Sequence, residues 1–306
     1  MNSKVLFILF AFEHKKLYNY IGDRMITNTK EMLEKAKKES YAVPHFNINN
    51  LEWTRFILEE CNELRSPVII GISEGANKYM GGYKVVADMI KNLVSSLEIT
   101  VPVAIHLDHG PTVEGCFKAI DAGYTSVMFD GSKYSLEGNI RMTNEVCNYA
   151  KDKNVTVEAE IGHIGGEEDG IADELAYAKV EDAVLLAKET SIDLLAPALG
   201  SVHGIYKGEP KLDFAKMSEI SKLTGLPLVL HGGTGIPDEM IKEAIASGIC
   251  KINVNTELQL AWTKAVKEFL MASDEYDPRK VIKSGESAMK EAIRKKVILF
   301  GSNAKY

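Results

Sequence analysis

Positive charge is in short supply in this chain: 36 Lys and Arg stand against 43 Asp and Glu, a formal net charge of −7 over 306 residues. A nucleic acid or an anionic membrane needs a basic surface to bind to, so neither is expected as a partner. Any anionic substrate must be met by charge gathered locally. Cysteine is scarce as well. Cys61, Cys116, Cys147 and Cys250 are widely spaced with no Cys-x-x-Cys pair, a pattern that leaves no disulfide framework to read and suits buried thiols in a reducing, cytoplasmic setting. Long apolar runs are missing too. Lys4 followed by Val5 to Phe12 imitates the start of a secretory signal, but Glu13-His14-Lys15-Lys16 follows with no small-residue cleavage site, and the run is far too short to span a bilayer. Residues 1–24 are therefore expected to be a dispensable extension or the product of an upstream start, with Gly22-Asp23-Arg24 read as a translated ribosome-binding sequence before Met25. Mass spectrometry of the native chain tests this, and an intact residue 1 contradicts it.

What the chain does have is enough apolar material, 45% of residues, for one large core, and from Met25 onward a regular alternation. A charged helix-forming run, Thr29 to Glu39, is expected to be capped by Thr27 or Asn28 and to plug the base of a barrel. Strand patterns follow at Tyr41–Ile48, Pro67–Ser73, Val101–His109, Ser126–Ser132, Thr156–Gly162, Leu194–Ser201, Pro227–Gly233 and Lys251–Thr256. Helical spacing of apolar residues lies between them, and Glu257 to Met271 completes the last unit. Eight strands each followed by a helix predict a single (β/α)₈ TIM barrel over residues 25–306, with an N-terminal helix and a C-terminal helical extension. A doubly wound open sheet is the alternative, since alternation alone does not establish closure.

A barrel of this kind demands that functional residues gather where the strands exit, and here polar residues collect at the same end of every strand. The densest case is Ile105-His106-Leu107-Asp108-His109-Gly110. His203 and His231 stand at the mouths of strands six and seven; with His109 they offer three imidazoles, the usual protein share of a catalytic zinc site with one position left open. His106 shares a strand face with Asp108 and is read as a neighbour of the site rather than a ligand. Asp130 and Glu160 are read as anchors of those ligands or as holders of an alternative metal position. His231-Gly232-Gly233-Thr234-Gly235, opening a helix begun by Pro237, reads as a phosphate-binding turn that Gly204 and Lys207 help to embrace.

The segments IHLDHG, EAEIGHIGGEEDG, APALGSVHGIYKGEP, LPLVLHGGTGIP, KINVNTE and EYDPRK resemble those of the class II, zinc-dependent fructose-bisphosphate aldolases, in the shorter-loop branch shared with tagatose-bisphosphate aldolases. The resemblance runs from Met25 to the C-terminus. It implies a catalytic metal on His109, His203 and His231, with Asp130 and Glu160 binding a second or displaced ion. It makes Asp108 the acid/base and Glu168 the carboxylate of a closing loop. Gly204, Lys207, Gly232, Gly233, Thr234, Asn253, Val254, Asn255 and Thr256 match a pocket for the dihydroxyacetone-phosphate half and a monovalent cation. Arg279 matches an arginine reaching the other phosphate across a subunit interface, which implies a homodimer or homotetramer. Asn47 and Ser73 match minor substrate contacts. Lys133, where relatives usually have His, Gly138 in place of a common Glu, and His45, at a position usually small or amide-bearing, depart from the pattern.

The chemistry implied is reversible cleavage of fructose 1,6-bisphosphate to dihydroxyacetone phosphate and glyceraldehyde 3-phosphate through a zinc-stabilised enediolate. A Schiff-base route needs a desolvated lysine at a strand exit, and Lys133, in a polar context, is the only one apparent there. A metal hydrolase would show His-x-His at strand one, where only His45 stands. A phosphosugar sensor would have little need for Asp108 together with Glu168, and a purely structural barrel none for three histidines at three mouths. The His-Gly-Gly-Thr-Gly form of the strand-seven loop favours the fructose branch over the tagatose one.

Overall fold

The computed structural model describes residues 25–168, 171–173, 175–206 and 208–306. The expectation for residues 1–24 lies outside them. Eight parallel strands close into a barrel in the order β1-β11-β10-β8-β5-β4-β3-β2. They are β1 (Val43–Asn47), β2 (Val68–Ile72), β3 (Val103–Gly110), β4 (Ser126–Phe129), β5 (Thr156–Ile161), β8 (Leu194–Pro197), β10 (Leu228–Leu230) and β11 (Ile249–Val254). Three shorter strands, β6 (Gly165–Glu168), β7 (Ile171–Asp173) and β9 (Val202–His203), form a separate sheet in which β6 runs antiparallel to β7 and parallel to β9. Closure settles the choice between barrel and open sheet.

The strands are buried on both faces, since helices wrap the outside and side chains fill the inside, which is why they read as near-continuous apolar runs. Inside, residues two apart share a face. At the bottom, Val43, Ile69, Ala104, Leu194 and Val229 pack against Met32, Leu33 and Ala36 of the helix Lys30–Glu39. That helix seals the base, as its apolar i, i+1, i+4 spacing predicts. Its cap differs from expectation: Thr29 occupies the N-cap position and turns its hydroxyl to Thr156 Oγ1 at 2.7 Å, while Asn28 Oδ1 accepts from Lys30 N–H at 3.1 Å. Burying the Thr29 hydroxyl against the barrel takes it away from local capping.

The C-terminal helices Pro278–Lys283 and Glu286–Leu299 pack on the outside. The second lies against Leu51–Glu63 and Thr256–Ala272, tied by Arg294 to Glu60 at 2.7 Å and Lys290 to Glu59 at 2.7 Å. No helix among the described residues is long and apolar enough to cross a membrane.

Several ends differ from the sequence reading. The strand expected over Leu194–Ser201 stops at Pro197, and Val202–His203 joins the small sheet instead. Strand eight ends at Val254, so that Asn255 caps and Thr256 begins the helix that follows, and the helix after the glycine-rich turn starts at Asp238 with Pro237 as its N-cap. Ser73 caps a short unforeseen helix, Glu74–Tyr79, its hydroxyl accepting from Ala76 N–H at 3.2 Å.

Candidate metal centre

Successive strand residues point to opposite faces, so Asp108 and His109 ought not to share one. They do because β3 breaks step there. Its pairing with β4 shifts register between Leu107 and Gly110, and His109 adopts φ 47°, a left-handed conformation that costs a non-glycine residue of order 1–3 kcal/mol. That local strain turns the imidazole toward the mouth beside the buried Asp108.

The ring of His109 meets those of His203 and His231 edge to face, at centroid separations of 4.9 and 4.5 Å, and the latter two lie 5.8 Å apart. One ligand nitrogen from each falls within 4.8 Å of the others, and His109, Asp130 and Glu160 make a second such group. Burial, and after it the neighbouring imidazoles, hold His203 well below and His231 below the usual histidine range, so both are neutral with a lone pair to give. His109 Nδ1 lies 3.0 Å from Asp130 Oδ2 and His231 Nε2 lies 3.0 Å from Glu158 Oε1. Carboxylates accept, so each ring donates from that side and turns its other nitrogen inward. Those inward atoms, His109 Nε2 and His231 Nδ1, face each other at 2.8 Å, with Asn253 Nδ2 3.1 Å from the latter. Ring nitrogens so close are an arrangement that a shared cation suits, and three imidazole nitrogens are a donor set suited to zinc.

The acidic groups point the same way. Burial and the Asp130 charge push Glu160 well above the ordinary carboxylate range, while Asp130, despite its own burial, is held well below it by His109 and Ser132. Glu160 Oε2 is buried with no hydrogen-bond partner, 3.7 Å from His109 Nδ1. A cation between these carboxylates would relieve the conflict.

Asp108, 1% exposed, is clamped at both oxygens: Asn47 Nδ2 donates to Oδ2 at 2.8 Å and Asn253 Nδ2 to Oδ1 at 3.2 Å. Burial alone would raise its pKa, but His45, His109, His231 and Lys251 together keep it well below the usual value. It is ionised and able to accept a proton.

The loops after β8 and β10 are fastened to each other. Tyr206 Oη accepts from Val202 N–H at 3.1 Å and donates to Gly232 O at 3.2 Å. Gly232 has φ 64°, and a Cβ there would stand 2.1 Å from Val202 O, so only glycine fits. Gly233 N–H donates to Asn253 O at 2.9 Å and Thr234 Oγ1 accepts from Glu257 N–H at 3.3 Å. Gly204, at φ 83°, belongs to the loop that Tyr206 fastens. The helices Asp238–Ala246 and Thr256–Ala272 start just beyond, neither capped by the side chain of its own N-cap residue, and such N-termini attract anions.

His109, His203, His231, Asp130, Glu160, Asp108, Asn47 and Asn253 are thus brought together. Arg279 is not: it is 88% exposed and bound to Asp277. Lys207 and the side chain of Glu168 lie outside the described residues, although the Glu168 backbone belongs to β6. His106 stays below the site as expected, its Nδ1 2.8 Å from Ser126 Oγ.

One reading needs correction. Lys133 is not the only lysine to consider, because Lys251 on β11 is fully buried inside the barrel, its Nζ 2.7 Å from Glu158 Oε2. Ser132 and His163 were also overlooked: Ser132 Oγ bonds Asp130 Oδ1 at 2.6 Å and His163 Nδ1 at 2.8 Å. Spacing of two was the available signal, as it puts Glu158 on the face of Glu160 and Lys251 on that of Asn253.

Residues 27–305 match the family described as fructose-bisphosphate aldolase class-II. The chain is 56% identical over 283 residues to the fructose-bisphosphate aldolase of Geobacillus stearothermophilus, covering 92% of this chain and 98% of that one. It is 53% identical over 280 residues to that of Staphylococcus epidermidis, covering 91% and 98%. Among solved structures, the YdjI aldolase of Escherichia coli K12 superposes with a TM-score of 0.81 at 33% identity, covering 92% of this chain and 99% of that one. The fructose-bisphosphate aldolase of Campylobacter jejuni gives 0.78 at 25%, covering 90% and 95%.

Proposed function

This chain belongs to the class-II fructose-bisphosphate aldolase family, and from that membership we propose how its barrel mouth does the work of a fructose-bisphosphate aldolase, a carbon–carbon lyase. The observation that carries the reading is the convergence of three imidazoles from β3, β9 and the end of β10 beside a carboxylate clamped by two amides. His109, His203 and His231 would hold a zinc ion, with Asp130 and Glu160 offering a second position, and an ion bound there would supply Lewis-acid stabilisation for the charge left beside the carbonyl when the C3–C4 bond breaks.

The side chains do the rest. Asp108 takes the proton of the C4 hydroxyl as that bond breaks and the aldehyde half leaves; Asn47 and Asn253 fix the direction from which it does so. Glu168, carried by the β6–β7 hairpin, returns a proton to C3 of the remaining half. The N–H groups of Gly232 and Thr234, on the turn that Gly233 ties to Asn253 O, the start of the helix after Asn255, and Gly204 with Lys207 hold one phosphate. Asn253 to Thr256 add carbonyl and amide oxygens suited to a monovalent cation, and the Asn253 and Asn255 Oδ1 atoms are buried with no hydrogen-bond partner. Ser73 lies at the exit of β2 as a further substrate contact. Arg279, exposed here, reaches the other phosphate from a partner subunit, which makes the working unit a homodimer or homotetramer. Two anchored phosphates fix the reacting carbons, an entropic advantage that survives even weak individual contacts.

Side-by-side coupled assays of fructose 1,6-bisphosphate and tagatose 1,6-bisphosphate test the substrate. Fructose bisphosphate is expected to have the higher kcat/KM; a reversal would move the assignment to the tagatose branch, and no cleavage of either would overturn it.

A further inference from the structure

Two charged groups buried beneath the metal centre take no part in the mechanism above. Glu158, fully buried on β5, receives two donors on two different oxygens: Lys251 Nζ reaches Oε2 at 2.7 Å and His231 Nε2 reaches Oε1 at 3.0 Å. Lys251 also lies 3.4 Å from His106 Nε2, and His106 Nδ1 meets Ser126 Oγ at 2.8 Å. An ammonium only donates. His106 must therefore show Lys251 a lone pair and keep its proton on Nδ1 for Ser126. The same logic fixes His231, which donates from Nε2 to Glu158 and presents Nδ1 as an acceptor, 2.8 Å from His109 Nε2 and 3.1 Å from the donor Asn253 Nδ2.

We propose that Lys251 and Glu158 form a positioning pair that sets the tautomer of His231, and through it the affinity of the centre for zinc. This rests on the metal reading given above. The demand on Glu158 is specific. Lys251 requires an acceptor at one terminal atom and His231 requires an acceptor at the other, and of the side chains that fit this space only an ionised carboxylate has two. An amide has one acceptor and one donor. With Lys251 present it must give its oxygen to the ammonium, which leaves its NH₂ facing His231. His231 would then accept at Nε2, carry its proton on Nδ1, and withdraw the lone pair meant for the metal. Removing Lys251 as well frees the amide to turn over: the oxygen accepts from His231 Nε2–H, and the NH₂ meets His106 Nε2, which lies 3.6 Å from Glu158 Oε2 in the native pair.

The test is a comparison of wild type, Glu158→Gln and the double variant Glu158→Gln/Lys251→Met. Zinc affinity is measured by competition with a chromophoric chelator, and the His231 tautomer is read from imidazole ¹⁵N shifts in the metal-free protein. Circular dichroism and thermal midpoint of each metal-free variant check that it folds. The single variant is expected to bind zinc roughly 10–100-fold more weakly, with the proton moved to Nδ1. The double variant should recover most of the affinity and the original tautomer despite carrying two substitutions. Equal losses in both variants, or an unchanged His231 tautomer in the single one, would overturn the pairing. Failure of wild type itself to bind zinc would instead overturn the metal reading on which the pairing rests.

Discussion

At the scale of residues, the barrel interior is a column of polar groups standing on an apolar floor, and its histidines divide by depth. His109, His203 and His231 meet at the mouth, while His45 and His106 are fully buried below. Burial, with Lys251 as a further cause, lowers His106 well below the usual value and His45 to about 3, the latter against an opposing pull from Asp108. Both stay neutral in the fold at pH values where the unfolded chain, with histidine near 6.5, takes up protons. The unfolded state is then the better proton binder, so stability falls as pH falls from 6.5 toward the folded-state values. Each such histidine contributes about 1 kcal/mol of loss between pH 6.5 and 5.5. Glu160, raised by burial and Asp130, acts in the opposite sense because the folded chain binds its proton first. Denaturant unfolding of the metal-free protein at the two pH values, compared with His45→Gln, should show the variant losing about 1 kcal/mol less across that interval; equal losses would contradict the burial account. The mouth residues were legible in the sequence because each follows an apolar strand. For Glu158 and Lys251 the spacing of two gives a strand face but not a partner, since charge inside a barrel makes sense only once closure brings β5 and β11 opposite each other.

At the scale of elements, the hairpin that carries Glu168 and the strand that carries His203 are parts of one small sheet, with Gly166 paired to His203. A Cβ at Gly166, where φ is 106°, would stand 2.2 Å from His203 O, so the loop and the proposed ligand His203 share a backbone contact that only glycine allows. Gly166→Ala is expected to lower zinc affinity and turnover together, each by roughly tenfold or more, the cost of a small misplacement in a metal site. Unchanged zinc affinity with reduced turnover would show that the hairpin moves independently of His203. The eight barrel strands and the basal helix could be read from periodicity. The small sheet could not: Gly165-Gly166 and a two-residue β9 carry no apolar alternation, and their pairing comes from tertiary contact. For the same reason strand six read four residues too long, as Ala198 to Ser201 continue its composition while leaving its ladder.

At the scale of the whole molecule, a single barrel brings together the proposed metal ligands, the clamped Asp108 and the proposed phosphate turn, but leaves Arg279 facing solvent. If that arginine serves a neighbouring subunit, Arg279→Ala and Asp108→Asn chains, each poorly active alone, should regain activity when mixed and allowed to exchange, because a hybrid assembly contains one complete site. Mixtures no more active than the sum of their parts would place Arg279 outside the reaction. The central claim is that cleavage depends on a metal held by His109, His203 and His231. The most direct measurement strips the protein with a chelator, restores zinc in substoichiometric steps, and follows bound zinc and fructose 1,6-bisphosphate cleavage on the same samples. The account predicts activity lost on stripping and regained in proportion to zinc up to saturation of the catalytic site; full cleavage by the stripped protein would contradict it.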